Sequence, residues 1–146
     1  MTEQLIAEQC AKKMLSMDAA SQGLGITITN VAPGQATISM SVDDKMLNGH
    51  KTCHGGFIFT LADSAFAIAC NSYNKTAVAA SCDISFVRPA YSSDTLTASA
   101  TEQFKGGRNG IYDVTITNQN EETIALFRGK SRVISKTGPL DDTDPS

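Results

Sequence analysis

The stretch that decides the fold is Gly55-Gly-Phe-Ile-Phe-Thr-Leu-Ala-Asp63-Ser-Ala-Phe-Ala-Ile-Ala-Cys-Asn71. Phe57, Ile58, Leu61, Ala62, Ala65, Ala69 and Cys70 recur at helical spacing and form a wide apolar face, while Thr60, Asp63, Ser64, Ala67 and Asn71 fall on the other side. Asp63 is the only charge between His54 and Lys75. A helix this apolar must be surrounded by other protein.

Outward from it the period changes. Upstream, Leu24, Ile26 and Ile28 alternate with Gly25, Thr27 and Thr29; beyond the turn dipeptide Pro33-Gly34, Ala36, Ile38, Met40 and Val42 alternate with Thr37, Ser39 and Ser41. These are two half-buried strands joined as a hairpin. Glu3 to Met17 spaces its apolar residues as a short amphipathic helix, and Asp43 to His54 is a polar, glycine-containing loop. Downstream, Thr76 to Arg88, Thr95 to Phe104, Ile111 to Asn118 and Thr123 to Ile134 read as four strands joined by hairpins, with Lys105–Gly110 and Gln119–Glu122 as turns. Hairpins demand antiparallel pairing. The expected fold is therefore α+β, an antiparallel sheet curled around one central helix. One domain spans residues 1–134, and 135–146 reads as a disordered tail. Such a sheet leaves two edge strands, and one commonly pairs across a two-fold axis.

Composition narrows the function. The chain has 146 residues, with 12 basic against 15 acidic side chains and a net charge of −3, so the basic footprint of a nucleic-acid binder is missing. Its longest apolar run, Ala65 to Cys70, is far short of a membrane span, and Met1-Thr-Glu-Gln lacks the features of a secretory signal. Cys10, Cys53, Cys70 and Cys82 form no C-x-x-C pair and read as reduced thiols of a cytoplasmic protein. His50 and His54 are four apart but precede the helix, with no further Cys or His cluster, so no metal site is expected.

The chemistry concentrates where the loop enters the helix. The first N–H groups of a helix lack intrahelical partners and carry the positive end of its dipole. Without a Cβ at Gly55 or Gly56, a ligand can approach that backbone, a setting suited to a developing oxyanion; the same glycines could equally serve tight loop packing. Asp63 follows eight residues after Gly55, about 12 Å along the axis, too far to meet it within one chain. An antiparallel two-fold partner would bring Asp63 of one chain to Gly55 of the other, where the carboxylate could act as general base or nucleophile toward an ester-like carbonyl. Thr60, Asp63 and Ser64 could instead be an ordinary polar stripe. Lys105-Gly-Gly-Arg108 is a basic turn able to hold phosphate or simply to close a hairpin.

On Asn48, His54-Gly55-Gly56, Leu61-Ala-Asp63, Ala69-Cys-Asn71, Ser85-Phe-Val-Arg-Pro89, Gly110-Ile-Tyr-Asp-Val114 and Phe127-Arg-Gly-Lys130, the chain resembles the hotdog-fold acyl-CoA thioesterases, most of all the PaaI-type group of phenylacetate degradation. The resemblance covers roughly Leu5 to Ile134. It implies a bent sheet wrapped around the long helix, dimers that pair into tetramers, and active sites at the dimer interface. The Gly55 N–H would polarise the thioester carbonyl, with Asp63 of the facing chain activating water or attacking to give an anhydride. Asn48 and His54 would position thioester or water. Gly56 and Ser81 are expected to contact substrate, with Arg88, Lys105, Gly106 or Arg108 near the phosphates of coenzyme A. The products would be coenzyme A and a carboxylic acid, with aryl-acetyl thioesters the expected class. Coenzyme A is then part of the substrate, and no cofactor is expected. Two other readings are a hotdog dehydratase or hydratase, with His54 and Asp63 moving protons, and a non-catalytic acyl-CoA sensor.

Overall fold

A computed structural model describes residues 1–141. Its elements run α1 (Glu3–Met17), α2 (Ala19–Gly23), β1 (Thr27–Ala32), β2 (Gln35–Ser41), a 3-10 turn (Asp44–Met46), α3 (Gly55–Cys70), β3 (Thr76–Phe86), β4 (Thr95–Gly106), β5 (Asn109–Thr117) and β6 (Thr123–Ser135). The six strands form one antiparallel sheet in the order β1-β2-β4-β5-β6-β3. α3 lies across its concave face, mainly over β2, β4 and β5. Ile58, Leu61, Ala62, Ala65, Phe66 and Ala69 of α3 are buried against Ile38, Met40, Leu96, Ala98, Val114 and Ile116, the alternate inward residues of those strands. This is the hotdog arrangement.

One expectation fails in its topology. The last four strands are not successive hairpins, because β3 pairs with β6 at the far edge while β4 pairs with β2 and β5. Residues 87–94 make the crossing. They pass beneath the start of α3, where Cys53 N donates to Ala90 O (2.7 Å), and then join the end of β2, where Val42 N donates to Asp94 O (2.8 Å) and Ser93 N to Val42 O (2.8 Å). The chain thereby leaves β3 as a free edge beside α3. Residues 78–81 and 83 are exposed along it, as are Phe86 and Val87.

Two further differences are local. Asn71 does not face water: it is buried, its amide donating to Ala67 O and Ala77 O and its Oδ1 accepting from Ala77 N, so it ties the end of α3 to the start of β3. The described part of the segment read as a tail is also held. Thr76 N donates to Thr137 O (3.0 Å), and Leu140 N donates to Asn74 Oδ1 (3.0 Å). Asp141 Oδ2 accepts from Gly138 N and from the Asn74 amide. The partners outside the tail, the Asn74 side chain and the Thr76 backbone, lie more than sixty residues earlier in the chain, which no local pattern announces. Residues 142–146 of that tail lie outside the described residues. No helix among the described residues is long and apolar enough to cross a membrane.

Candidate active site

The loop before α3 is built by Asn48. Its Oδ1 accepts from His50 N (2.9 Å) and Thr52 N (3.2 Å), its Nδ2 donates to Thr52 Oγ1 (3.0 Å), and its backbone closes the turn through Asn48 N to Thr52 O and Lys51 N to Asn48 O. These bonds hold Lys51 at φ 64°, a left-handed conformation costly for a side chain of this kind. Asn48 thus holds the shape of the loop ahead of α3. His54 follows as the N-cap of α3, and its Nδ1 accepts from Gly56 N (3.0 Å). An accepting Nδ1 carries no proton, so a neutral His54 bears its hydrogen on Nε2 and can only donate outward.

That cap decides which amide is available. Gly56 N–H is taken by His54 and Phe57 N–H by His54 O (3.0 Å), whereas no described group accepts from Gly55 N–H. The first residue of α3 therefore presents a donor without an acceptor among the described residues, at the positive end of a 16-residue helix. A Cβ on Gly55 would stand 3.0 Å from Phe86 Cζ, so the absent side chain leaves the ring room to lie over this backbone. Thr52, Cys53, Ile58, Phe86 and Arg88 line a cavity of about 340 Å³ there. Arg88 is tethered at its rim by a bond from Nη1 to Thr123 O (2.9 Å).

Asp63 sits two turns along the same helix, half-buried. Its polar neighbours are otherwise engaged: Thr60 Oγ1 donates to Gly56 O (2.9 Å), and Ser64 Oγ donates to Ser21 Oγ (3.0 Å), whose own hydrogen goes to Asp18. Asp63 enters no ion pair among the described residues. Burial, and secondarily the charge of Asp18, push its carboxyl above the usual carboxylate range, with no hydrogen bond to offset them. An ordinary polar stripe would be satisfied throughout; this one keeps a single unpaired acid. The half-buried residues Thr60, Asp63 and Ala67 line up on the side of α3 that the sheet does not cover.

The structure separates other residues that the sequence grouped. Ser81 is exposed, whereas Cys82, the next residue, packs inward and feels the Asp63 charge. The irregularity between Ala79 and Ser81 sets this facing, so Cys82 is the β3 residue beside Asp63 of its own chain, while Ser81, expected to serve the site from a facing chain, points outward along the free edge. Burial pushes the Cys82 thiol up, and pushes Cys53 up to about 11 and Cys70 up to about 12, which removes all three as thiolate nucleophiles at neutral pH. Lys105 and Arg108 lie at the opposite end of α3 from Arg88, beside Cys70 and Tyr73, and Gly106 ends β4 between them, against the Phe104 ring. Among the described residues no three His, Cys, Asp or Glu side chains come together as metal ligands.

Comparison with known proteins gives the chain a lineage. The sequence model of the thioesterase superfamily matches residues 50–125, the loop, α3 and the strands that follow. The chain is 50% identical over 131 residues to acyl-coenzyme A thioesterase PaaI of Escherichia coli K12, covering 90% of this chain and 94% of that protein. It superposes on the solved structure of the E. coli PaaI protein from the phenylacetic acid degradation operon with a TM-score of 0.92, 48% identity, and coverage of 93% and 99%. A mutant of the phenylacetic acid degradation protein PaaI of Thermus thermophilus superposes with a TM-score of 0.77 at 35% identity, covering 80% of this chain and all of that one.

Proposed function

Because the chain belongs to the thioesterase superfamily, we propose that it hydrolyses acyl-coenzyme A thioesters, with aryl-acetyl groups such as phenylacetyl or ring-hydroxylated phenylacetyl as its acyl class. The observation that carries the reading is the pair of groups left without partners along α3: the Gly55 N–H at its start and the Asp63 carboxylate two turns on. An acyl transfer needs both, a donor where the oxyanion develops and an acid–base group or nucleophile beside the carbonyl carbon.

Within one chain the two stand about 12 Å apart along the axis. A second copy joined through the β3 edge would run its α3 antiparallel to the first. Residue 59 lies midway between 55 and 63, so an axis passing beside Phe59 sets Asp63 of one protomer opposite Gly55 of its partner, twice per dimer. The free β3 edge, with exposed Val78, Phe86 and Val87, supports this assembly. Two such dimers would pair into a tetramer.

In the composite site the Gly55 N–H donates to the thioester oxygen as negative charge grows there. Asp63 draws a proton from water as it adds, or itself attacks the carbonyl carbon to give an anhydride that water then opens. Either route breaks the carbon–sulfur bond and yields a carboxylic acid and coenzyme A thiol. No cofactor enters, since coenzyme A is part of the substrate, and we place the reaction in the cytoplasm.

The His54 cap speaks against the dehydratase or hydratase reading. A base at Nε2 would need the proton moved to Nδ1, where it would break the bond to Gly56 N. The test is thiol release from a panel of acyl-CoA esters. Phenylacetyl-CoA and its ring-hydroxylated forms should release thiol without enoyl product. Binding without thiol release would instead establish a sensor.

A further inference from the structure

The helices α1 and α2 lie ahead of residues 50–125, the stretch matched by the superfamily, and the reaction described above uses neither. Both contact α3. Between them and α3 lies a cavity of about 280 Å³. Met14 and Met17 of α1 and Ala67 and Ile68 of α3 give it apolar walls. Its polar side is made by Asp18, Ser21 and Ser64. An apolar cavity of about 150 Å³ is enough to take up benzene, so this one has room for an aryl ring and a substituent. Methionine walls suit such a ring, since thioether sulfur packs favourably at an aromatic edge.

The cavity begins next to the acid. Ser64 follows Asp63 directly, and Ala67 is one turn beyond it on the same side of α3, about 6 Å along the axis. A carbonyl carbon held at Asp63 and a ring one methylene away fit that step. At the polar side, Asp18 Oδ1 accepts from Ser21 N (2.9 Å) and Oδ2 from Ser21 Oγ, which in turn accepts from Ser64 Oγ (3.0 Å). Ser21 is 1% exposed, so a buried chain rooted beside the acid fixes this carboxylate in place. Each of its oxygens keeps a further lone pair. Neither Asp18 nor Lys13, the other charge lining the cavity, forms an ion pair among the described residues. The Asp18 charge is felt at Asp63, as expected for two carboxylates bordering one small cavity.

We propose that this cavity holds the aryl ring of the acyl group and that Asp18 selects ring-hydroxylated substrates by accepting a hydrogen bond from the ring hydroxyl. The proposal rests on the acyl-CoA hydrolase reading above. A phenolic hydroxyl gives the carboxylate a charge-assisted bond that an unsubstituted ring cannot supply. A site that bonds a substrate hydroxyl rejects the analogue lacking it more strongly than an apolar slot separates two rings. The α1–α2 unit then chooses the acyl group, and α3 carries the reacting carboxylate.

The test uses the full chain and compares kcat/KM for meta-hydroxy-, para-hydroxy- and unsubstituted phenylacetyl-CoA. The parent should prefer a hydroxylated substrate, and in Asp18→Asn that preference should fall about five- to tenfold. Any effect of this substitution on Asp63 acts on all three substrates alike and cancels in the ratio. Met14→Trp narrows the cavity from α1 without touching a charge, and should lower kcat/KM for all three, relative to acetyl-CoA, about fivefold or more. A hydroxylated-to-unsubstituted ratio that Asp18→Asn leaves unchanged, or aryl-acetyl turnover that Met14→Trp leaves at the parental ratio to acetyl-CoA, overturns the assignment. Ring binding is read separately with meta- and para-hydroxyphenylacetamide, neutral fragments without a thioester, through the methionine methyl resonances. Should the protein hydrolyse no acyl-CoA while one amide shifts Met14 and Met17 and Asp18→Asn weakens it, the hydrolase reading fails and the cavity assignment stands.

Discussion

Replacing Asp63 by Asn should separate activity from stability in opposite directions. The carboxylate makes no hydrogen bond or ion pair among the described residues, so the substitution breaks no structural contact and removes only the group that takes a proton or attacks carbon. General-base catalysis is worth roughly 10²- to 10⁴-fold, about 2.7–5.4 kcal/mol, and kcat should fall within or beyond that range. The sign for stability follows from the same burial. Asp63 has a folded pKa above its ordinary 3.8, so its favourable contribution is present below the unfolded pKa and lost as pH rises through the folded one. At pH 7 the ionised group is a liability that the amide does not carry. Asp63→Asn should therefore unfold at the same or a higher temperature than the parent at pH 7, with the gap closing as pH falls toward 4. The assays are thiol release under saturating phenylacetyl-CoA and thermal melts across pH 4–8. An active variant, or one that is inactive but clearly less stable at pH 7, would refute the reasoning.

Asp18→Asn removes the charge that adds to the shift of Asp63, and the acidic limb of the kcat/KM profile should move to lower pH; a limb that stays in place would mean that Asp63 does not set it. Asn48→Ala deletes the acceptor that organises residues 48–52 and leaves Lys51 unsupported at positive φ, so stability should drop by about 1–2 kcal/mol and kcat with it, read by melts and thiol release.

Much of this was legible in the sequence because two periods dominate it. The apolar pattern of Gly55–Asn71 gave α3 to within one residue, and the alternation of Ala36–Val42 gave β2 nearly as well. The jump of β3 to the far edge was not legible. Its register partners are residues 125–135, some fifty positions away, and strand propensity says nothing about which neighbour a strand chooses. The five-residue α2 was too short to show a period. At the site, Gly55 and Asp63 stood out as a bare loop-to-helix junction and a lone charge. That Gly55 rather than Gly56 keeps a free N–H depends on where the His54 ring turns, which spacing does not encode. That Cys82 packs toward α3 of its own chain was not legible, because one irregularity in the strand reverses which residue faces the helix. The basic residues Arg88 and Arg108 looked equivalent in sequence and lie at opposite ends of the helix.

A site shared between two copies of the chain is the central claim, and mixed dimers address it directly. Asp63→Asn removes the acid. Gly55→Pro removes the free N–H at a first-turn position where proline is well tolerated, after a His54 whose φ of −59° and ψ of 134° suit a following proline, and against a Phe86 ring that is 51% exposed and free to move. Each variant alone should be inactive. After unfolding and refolding together in equal amounts, half the dimers are hybrid and each hybrid carries one intact site of two, so about a quarter of the parental activity should return. No recovery, with hybrid formation verified by mass, would contradict a site built across the two-fold axis.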